Sequence, residues 1–188
     1  MTKPPRIEGF AIVSREGMIA LPDGSFPGRL KIPADQQFYQ GSVDRAAAVC
    51  NGRHSAEGGP KEPLRKRIRV TRRVQGIVPD PRNPNTVLWN PGTAAFAEAW
   101  QRLGAGEGPL AVVGGTDVFG LFLSIGYDTF WLSRARGVSV PHGRPVFPGV
   151  GGDVPPEAPL RKMGYALRSS RLLDPATDTV LEEWTRPA

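Results

Sequence analysis

Leu110-Ala111-Val112-Val113-Gly114-Gly115-Thr116-Asp117-Val118-Phe119 is the stretch on which the reading of this chain turns. An apolar run of strand character ends in two glycines, and a helix-like apolar pattern (Val118, Phe119, Leu121, Phe122) begins at once. Glycine carries no Cβ, so a second molecule can approach the backbone closely at such a junction. The helix start behind it presents unpaired N–H groups and a partial positive charge, which suits a phosphate. The plainer reading is a strand end that needs backbone freedom. A helix starting directly at Thr116 favours binding.

Outward from this point the chain alternates strands and helices. Ile7 to Ser14 reads as a buried strand. Residues 15–31 form a glycine- and proline-rich loop, and Pro33-Ala34-Asp35 opens a helix with proline and an acid in its first turn. Ala46 to Cys50, Ile68 to Thr71 and Val87 to Trp89 are further strands. A helix capped by Thr93 follows, with Phe96, Trp100 and Leu103 on one face. After the glycine junction come a strand at Thr129 to Ser133, an irregular proline-rich connection over 141–159, and a terminal hairpin. Its strands are Tyr165 to Leu173 and Thr179 to Thr185, joined by Asp174-Pro175-Ala176-Thr177-Asp178. This order predicts an α/β domain whose sheet is mainly parallel, with an antiparallel edge. Gly104-Ala105-Gly106-Glu107-Gly108 precedes a strand rather than following one, so it reads as a loop, not a dinucleotide fingerprint.

Composition sets the outer limits. The 188 residues suit one domain, and 39% hydrophobic with 22% charged residues is ordinary for a globular protein. No apolar run reaches the roughly 20 residues that span a bilayer. The N-terminus lacks the apolar core of a secretion signal, and the single cysteine, Cys50, has no partner in the chain. A cytoplasmic protein, monomer or homodimer, is expected, without membrane contact. The net charge of +6 is concentrated in Lys61, Arg65, Lys66, Arg67, Arg69, Arg72 and Arg73. This run has no interleaved aromatics, which argues against nucleic acid. Lys61, Lys66 and Arg67 read as solvated surface. No metal site is expected.

Taken in order, the segments resemble the dihydrofolate reductase family over nearly the whole chain. Ile32-Pro33-Ala34-Asp35-Gln36-Gln37-Phe38-Tyr39 is similar to the family's proline-x-acid helix start. Gly52-Arg53-His54-Ser55 is similar to the Gly-Arg-x-Thr motif that begins a helix against the cofactor pyrophosphate. Val113 to Phe119 resembles the family's glycine-pair motif, and Val146-Phe147-Pro148 falls where the family has its counterpart. The resemblance implies a single-domain, three-layer α/β/α fold over residues 1–188, with a central sheet of about eight strands and a C-terminal antiparallel hairpin. It implies an NADPH-dependent oxidoreductase acting on a small molecule, reducing 7,8-dihydrofolate or a related pterin in one-carbon metabolism.

The resemblance also implies roles. Asp35 would orient the pterin and help protonate it, and it shares a helical face with Phe38 and Tyr39. Phe10, Phe38, Tyr39, Val113 and Ser133 would line the pterin site, and Arg65 would grip the glutamate tail. NADPH would lie against Gly52, Arg53, His54 and Ser55, against Thr71, Arg72 and Arg73 at its 2′-phosphate, and against Gly114, Gly115, Thr116, Asp117, Val118 and Phe119. Ile19 and Ala20 would lie near the nicotinamide. His142, in a Pro/Gly loop, reads as exposed.

Three departures stand out. The 15–31 loop lacks the family's Pro-Trp pair and carries Phe26, Pro27, Arg29 and Leu30 there. Gln36 follows the acid where an apolar residue is usual, and Arg144 occupies a position where an acid often steadies the closed loop. Ser14-Arg15-Glu16-Gly17-Met18-Ile19-Ala20 also resembles the Asp-Gly-x-Ile-Ala segment of the riboflavin-pathway pyrimidine reductases. Those enzymes share fold and cofactor but reduce a ribosyl-aminopyrimidine sugar. Ile-Pro-Ala-Asp35 and Phe147-Pro148 favour the folate reading; a cofactor-binding module without turnover is a further alternative.

Overall fold

The computed structural model describes residues 4–55 and 58–187. Its first half contains β1 (Ile7–Val13), β2 (Met18–Ala20), α1 (Pro33–Arg45), β3 (Ala48–Gly52), β4 (Arg67–Val70), β5 (Ile77–Pro79) and β6 (Thr86–Trp89). The second half contains α2 (Phe96–Leu103), β7 (Leu110–Val112), α3 (Thr116–Ile125), β8 (Thr129–Ala135), β9 (Arg144–Pro145), α4 (Ala158–Lys162), β10 (Ala166–Asp174) and β11 (Thr179–Thr185). Among the described residues, nine strands form one sheet in the order β10-β11-β8-β1-β7-β3-β4-β6-β5. The six from β8 to β6 are parallel to one another, while β5 and the β10–β11 hairpin are antiparallel.

The near-continuous apolar character of β1, β3 and β7 follows from burial on both faces. Side chains alternate between two cores. Ala48, Cys50, Leu110 and Val112 pack with Trp100, Phe119 and Phe122 from α2 and α3. Val49 and Ala111, one residue out of phase, pack with Phe10 and Val43 on the α1 side. This is the three-layer α/β/α arrangement that the resemblance implies, its sheet slightly larger than the eight strands expected. Gly9 is needed at the centre: a Cβ there would fall 2.3 Å from the Phe130 ring.

Three local expectations are corrected. The second helix starts at Phe96, not behind Thr93. Its first turn is closed by Glu98, which accepts a hydrogen bond from the Ala95 N–H (3.0 Å), whereas the Thr93 hydroxyl accepts from the Gly76 N–H (2.9 Å). The 15–31 loop contains β2, which pairs with β9 across more than a hundred residues. Arg67 is not surface: it is 1% exposed and donates to Asn51 Oδ1 (3.1 Å) and the Glu62 carbonyl (3.2 Å). Among the described residues no helix is long and apolar enough to cross a membrane.

Candidate active site

Parallel α/β sheets offer a crevice beyond the carboxyl ends of their strands, and here it holds a cleft of about 1500 Å³. Gly52 ends β3, Val70 ends β4 with Thr71 to Arg73 behind it, and Val113 to Phe119 follow β7. Trp131 and Ser133 of β8 complete the floor. Of the site residues that the resemblance implies, all but Arg65 and Gly114 line this one space.

Among the described residues, one end is apolar with a single acid. Pro33 sets the first turn of α1, which places Asp35 at the cleft with only 7% of its surface exposed. Burial pushes its carboxyl up to about 6, against a hydrogen bond donated by the Ser133 hydroxyl, which lowers it. Aromatic rings line the same cleft: Phe10 lies 6.1 Å from Phe38 and 6.4 Å from Tyr39, and Phe38 lies 5.4 Å from Trp131. The Arg171 guanidinium stacks on Phe38 at 5.6 Å. Trp131 was not expected in the site. It stands two residues before Ser133 on a strand, so strand alternation alone puts both side chains on one face.

The other end is glycine-rich and basic. The Gly52 N–H donates to the Gly114 carbonyl (2.8 Å), and the Gly114–Gly115 peptide is cis. A Cβ on Gly115 would lie 3.4 Å from Ser55 Oγ, so the serine hydroxyl faces the glycine pair. The first helical bond of α3 runs from the Phe119 N–H to the Gly115 carbonyl. The N–H groups of Thr116, Asp117 and Val118 therefore have no partner within their helix. The Thr116 hydroxyl donates to the Pro145 carbonyl. Arg53, His54, Arg72 and Arg73 line the same wall, and Thr71 Oγ1 accepts from the Arg73 N–H (3.2 Å), ordering that turn.

Gly52 to Ser55 form a tight turn closed by the Ser55 N–H on the Gly52 carbonyl (3.2 Å), not the helix start implied by the resemblance. Asn51 replaces that support, donating to the Ser55 carbonyl while accepting from buried Arg67. From the sequence Arg67 reads as solvated surface, and Asn51 carries no assigned role. Arg65 lies outside the cleft, its guanidinium paired with Asp44 of α1. Cys50 is buried and its thiol pushed far up by desolvation, and exposed His142 does not line the cleft.

The loop over the cleft is tied down. Glu16 accepts hydrogen bonds from Ser14 Oγ (2.7 Å), Ser139 Oγ (2.6 Å) and the Val140 N–H (2.9 Å). Desolvation raises its carboxyl, but these bonds together hold it at about 2. Arg144 donates to the Pro22 carbonyl (3.2 and 3.3 Å), so the cation at this position anchors the loop through its backbone. Glu16→Ala should release this tie. Amide exchange at Val140 should accelerate by about tenfold or more, as expected for loss of charge-assisted bonds. Unchanged exchange would mean that the β2–β9 pairing suffices alone.

No protein-family model matches the chain, nor does any curated protein. Solved structures do. Dihydrofolate reductase of Enterococcus faecalis, complexed with NADP(H) and RAB-propyl, superposes with a TM-score of 0.65 at 16% identity, over 97% of each chain. The diaminohydroxyphosphoribosylaminopyrimidine deaminase/5-amino-6-(5-phosphoribosylamino)uracil reductase of Thermotoga maritima gives 0.62 at 17% identity. That match covers 98% of this chain, which spans 57% of the Thermotoga protein. At such identities the likeness concerns architecture. The chain has the fold shared by dihydrofolate reductase and the riboflavin-pathway deaminase/reductase.

Proposed function

We propose that this protein is a cytoplasmic NADPH-dependent reductase that converts 7,8-dihydrofolate or a related pterin to its tetrahydro form. The observation that carries this reading is the buried carboxyl of Asp35, which shares one end of a cleft with aromatic rings, while the other end is glycine-rich and cationic. The residues at that second end suit a dinucleotide. Open N–H groups at α3, the Ser55 hydroxyl and a backbone without Cβ atoms suit a pyrophosphate. Arg72 and Arg73 suit a further phosphate. When bound, NADPH supplies the hydride.

The remaining work falls to the chain itself. A carboxyl at the base of the pocket pairs with an amino group and adjacent ring nitrogen of a pterin, fixing its orientation. With a titration point pushed up to about 6, Asp35 holds a proton within reach of neutral pH and can pass it to a ring nitrogen. Phe10, Phe38 and Trp131 confine the heterocycle to a plane, and the loop anchored by Glu16 and Arg144 keeps water from the reacting face. The decisive assay is NADPH oxidation with dihydrofolate, run beside a phosphoribosyl-aminouracil. Turnover of the second compound alone would overturn the reading.

That second reading, a pyrimidine reductase, is favoured by Gly17-Met18-Ile19-Ala20, whose Ile19 and Ala20 line the cleft, and by the Thermotoga neighbour. It predicts little response to Asp35→Asn. Under either reading Arg72→Ala should raise the KM for NADPH by about tenfold or more and leave NADH nearly unchanged, since a bidentate phosphate contact is lost only for NADPH. Equal losses for both cofactors would move the 2′-phosphate elsewhere.

A further inference from the structure

Among the described residues, three arginines lay a guanidinium over an aromatic ring. Arg161 covers Trp184 and Arg186 covers Tyr165, both buried rings that do not line the cleft. Arg171 differs, because its partner Phe38 is half-buried on α1 and lines the cleft. Strand register brings Arg171 there. It stands opposite Leu181 of β11, and Leu181 stands opposite Ser133 of β8. Residues directly opposite in neighbouring strands share a face of the sheet, so Arg171 lies on the face where Ser133 meets Asp35. Arg171 is itself exposed and does not line the cleft. No salt bridge among the described residues engages it.

From this contact we propose that Arg171 is a positioning residue: held over Phe38, it fixes the ring that walls the heterocycle and so sets substrate affinity without touching substrate. The inference rests on the pterin-reductase reading above. The physical reason is the freedom of an aromatic side chain at a partly open position. Phe38 can leave one staggered rotamer for another unless packing opposes it. Phe10 and Trp131 meet its ring at 53° and 66°, so neither lies flat on it. The arginine supplies what they do not: a planar cation stacked on the ring and an apolar stem beside it. A wall serves ground state and transition state alike, so its loss registers in KM rather than in kcat.

The test measures kcat and KM for 6-methyl-7,8-dihydropterin and for 7,8-dihydrofolate, with NADPH, in the wild-type protein, Arg171→Gln and Arg171→Lys. Arg171→Gln should raise KM for both pterins equally, by about two- to fivefold, the range of an exposed cation–π contact. Its kcat and its KM for NADPH should not change. Arg171→Lys keeps the charge but not the plane and should fall between Arg171→Gln and wild type. In a Phe38→Leu background, which has no ring, Arg171→Gln should raise KM no further. An unchanged KM in Arg171→Gln, or an effect that persists without the Phe38 ring, would overturn the inference and leave the pterin reading intact. So would a rise confined to dihydrofolate, which would mean direct contact between the guanidinium and substrate carboxylates. Failure of the wild type to reduce either pterin would overturn the reading itself, and this inference with it.

Discussion

Asp35→Asn is expected to lower kcat/KM for pterin reduction at pH 7 by about 10²–10³-fold, the range in which a positioned proton donor contributes. Asparagine is the same size and still pairs with the Ser133 hydroxyl, so the pocket keeps its shape. What is lost is the anion that orients the amino group and the proton that can be delivered. The pH profile separates these. With the carboxyl pushed up to about 6, wild-type activity should fall as pH rises above that point, because the protonated form is depleted. In the variant that inflection should vanish, and its deficit should narrow at low pH as solvent protonates the substrate. A variant of undiminished activity would remove Asp35 from the chemistry and favour the pyrimidine-reductase reading.

The fold was legible where burial imposes a period. β1, β3 and β7 are apolar on both faces, and their alternate residues feed two separate cores, so composition and length sufficed to identify them. The glycine pair was legible for a different reason: a strand followed without a loop by a helix admits few backbone routes. Elements held only by distant partners were not legible. β2 and β9 have three and two residues and exist because they pair with each other. β5 contains a proline and survives as an antiparallel edge strand. Thr93 carries a good cap residue, yet its hydroxyl is used by the Gly76 amide from a neighbouring turn.

The site shows the same division. Asp35, Phe38 and Tyr39 lie on one helical face, and Ser133 reaches the acid because β8 lies beside β1 in register, Phe10 opposite Trp131. That register depends on the whole sheet, which is why Trp131 was missed. Basic residues were harder to sort. Arg67 and Arg72 look alike in the sequence, but one is buried beneath the Gly52 turn and the other lines the cleft. Only the distance to Asn51 or Asp44 distinguishes a structural arginine from a ligand-binding one.

The same substitution at Asp35 should stabilise the protein while disabling it. Burial raises the folded carboxyl to about 6 from an ordinary 3.8, so the charged form is disfavoured in the folded state. Below about pH 4 the group is neutral whether folded or not, and no penalty exists. Between about pH 4 and 6 the unfolded chain ionises first, and the folded state loses ground as pH rises. Above about pH 6 the penalty is complete, at roughly 3 kcal/mol from 1.36 kcal/mol per pKa unit. Asparagine never ionises and avoids it. Asp35→Asn should therefore melt higher than wild type at pH 8, by roughly 6–12 °C for a chain of this size, and at nearly the same temperature at pH 4. Thermal melts of the two proteins across that range decide the matter. Equal melting temperatures at pH 8 would mean that the acid is compensated by a cation or by water, and that its burial does not poise it as a proton donor. A gap that opens only above pH 4 would tie the loss of stability to the ionised form, the charge that a bound heterocycle carrying N–H donors then satisfies.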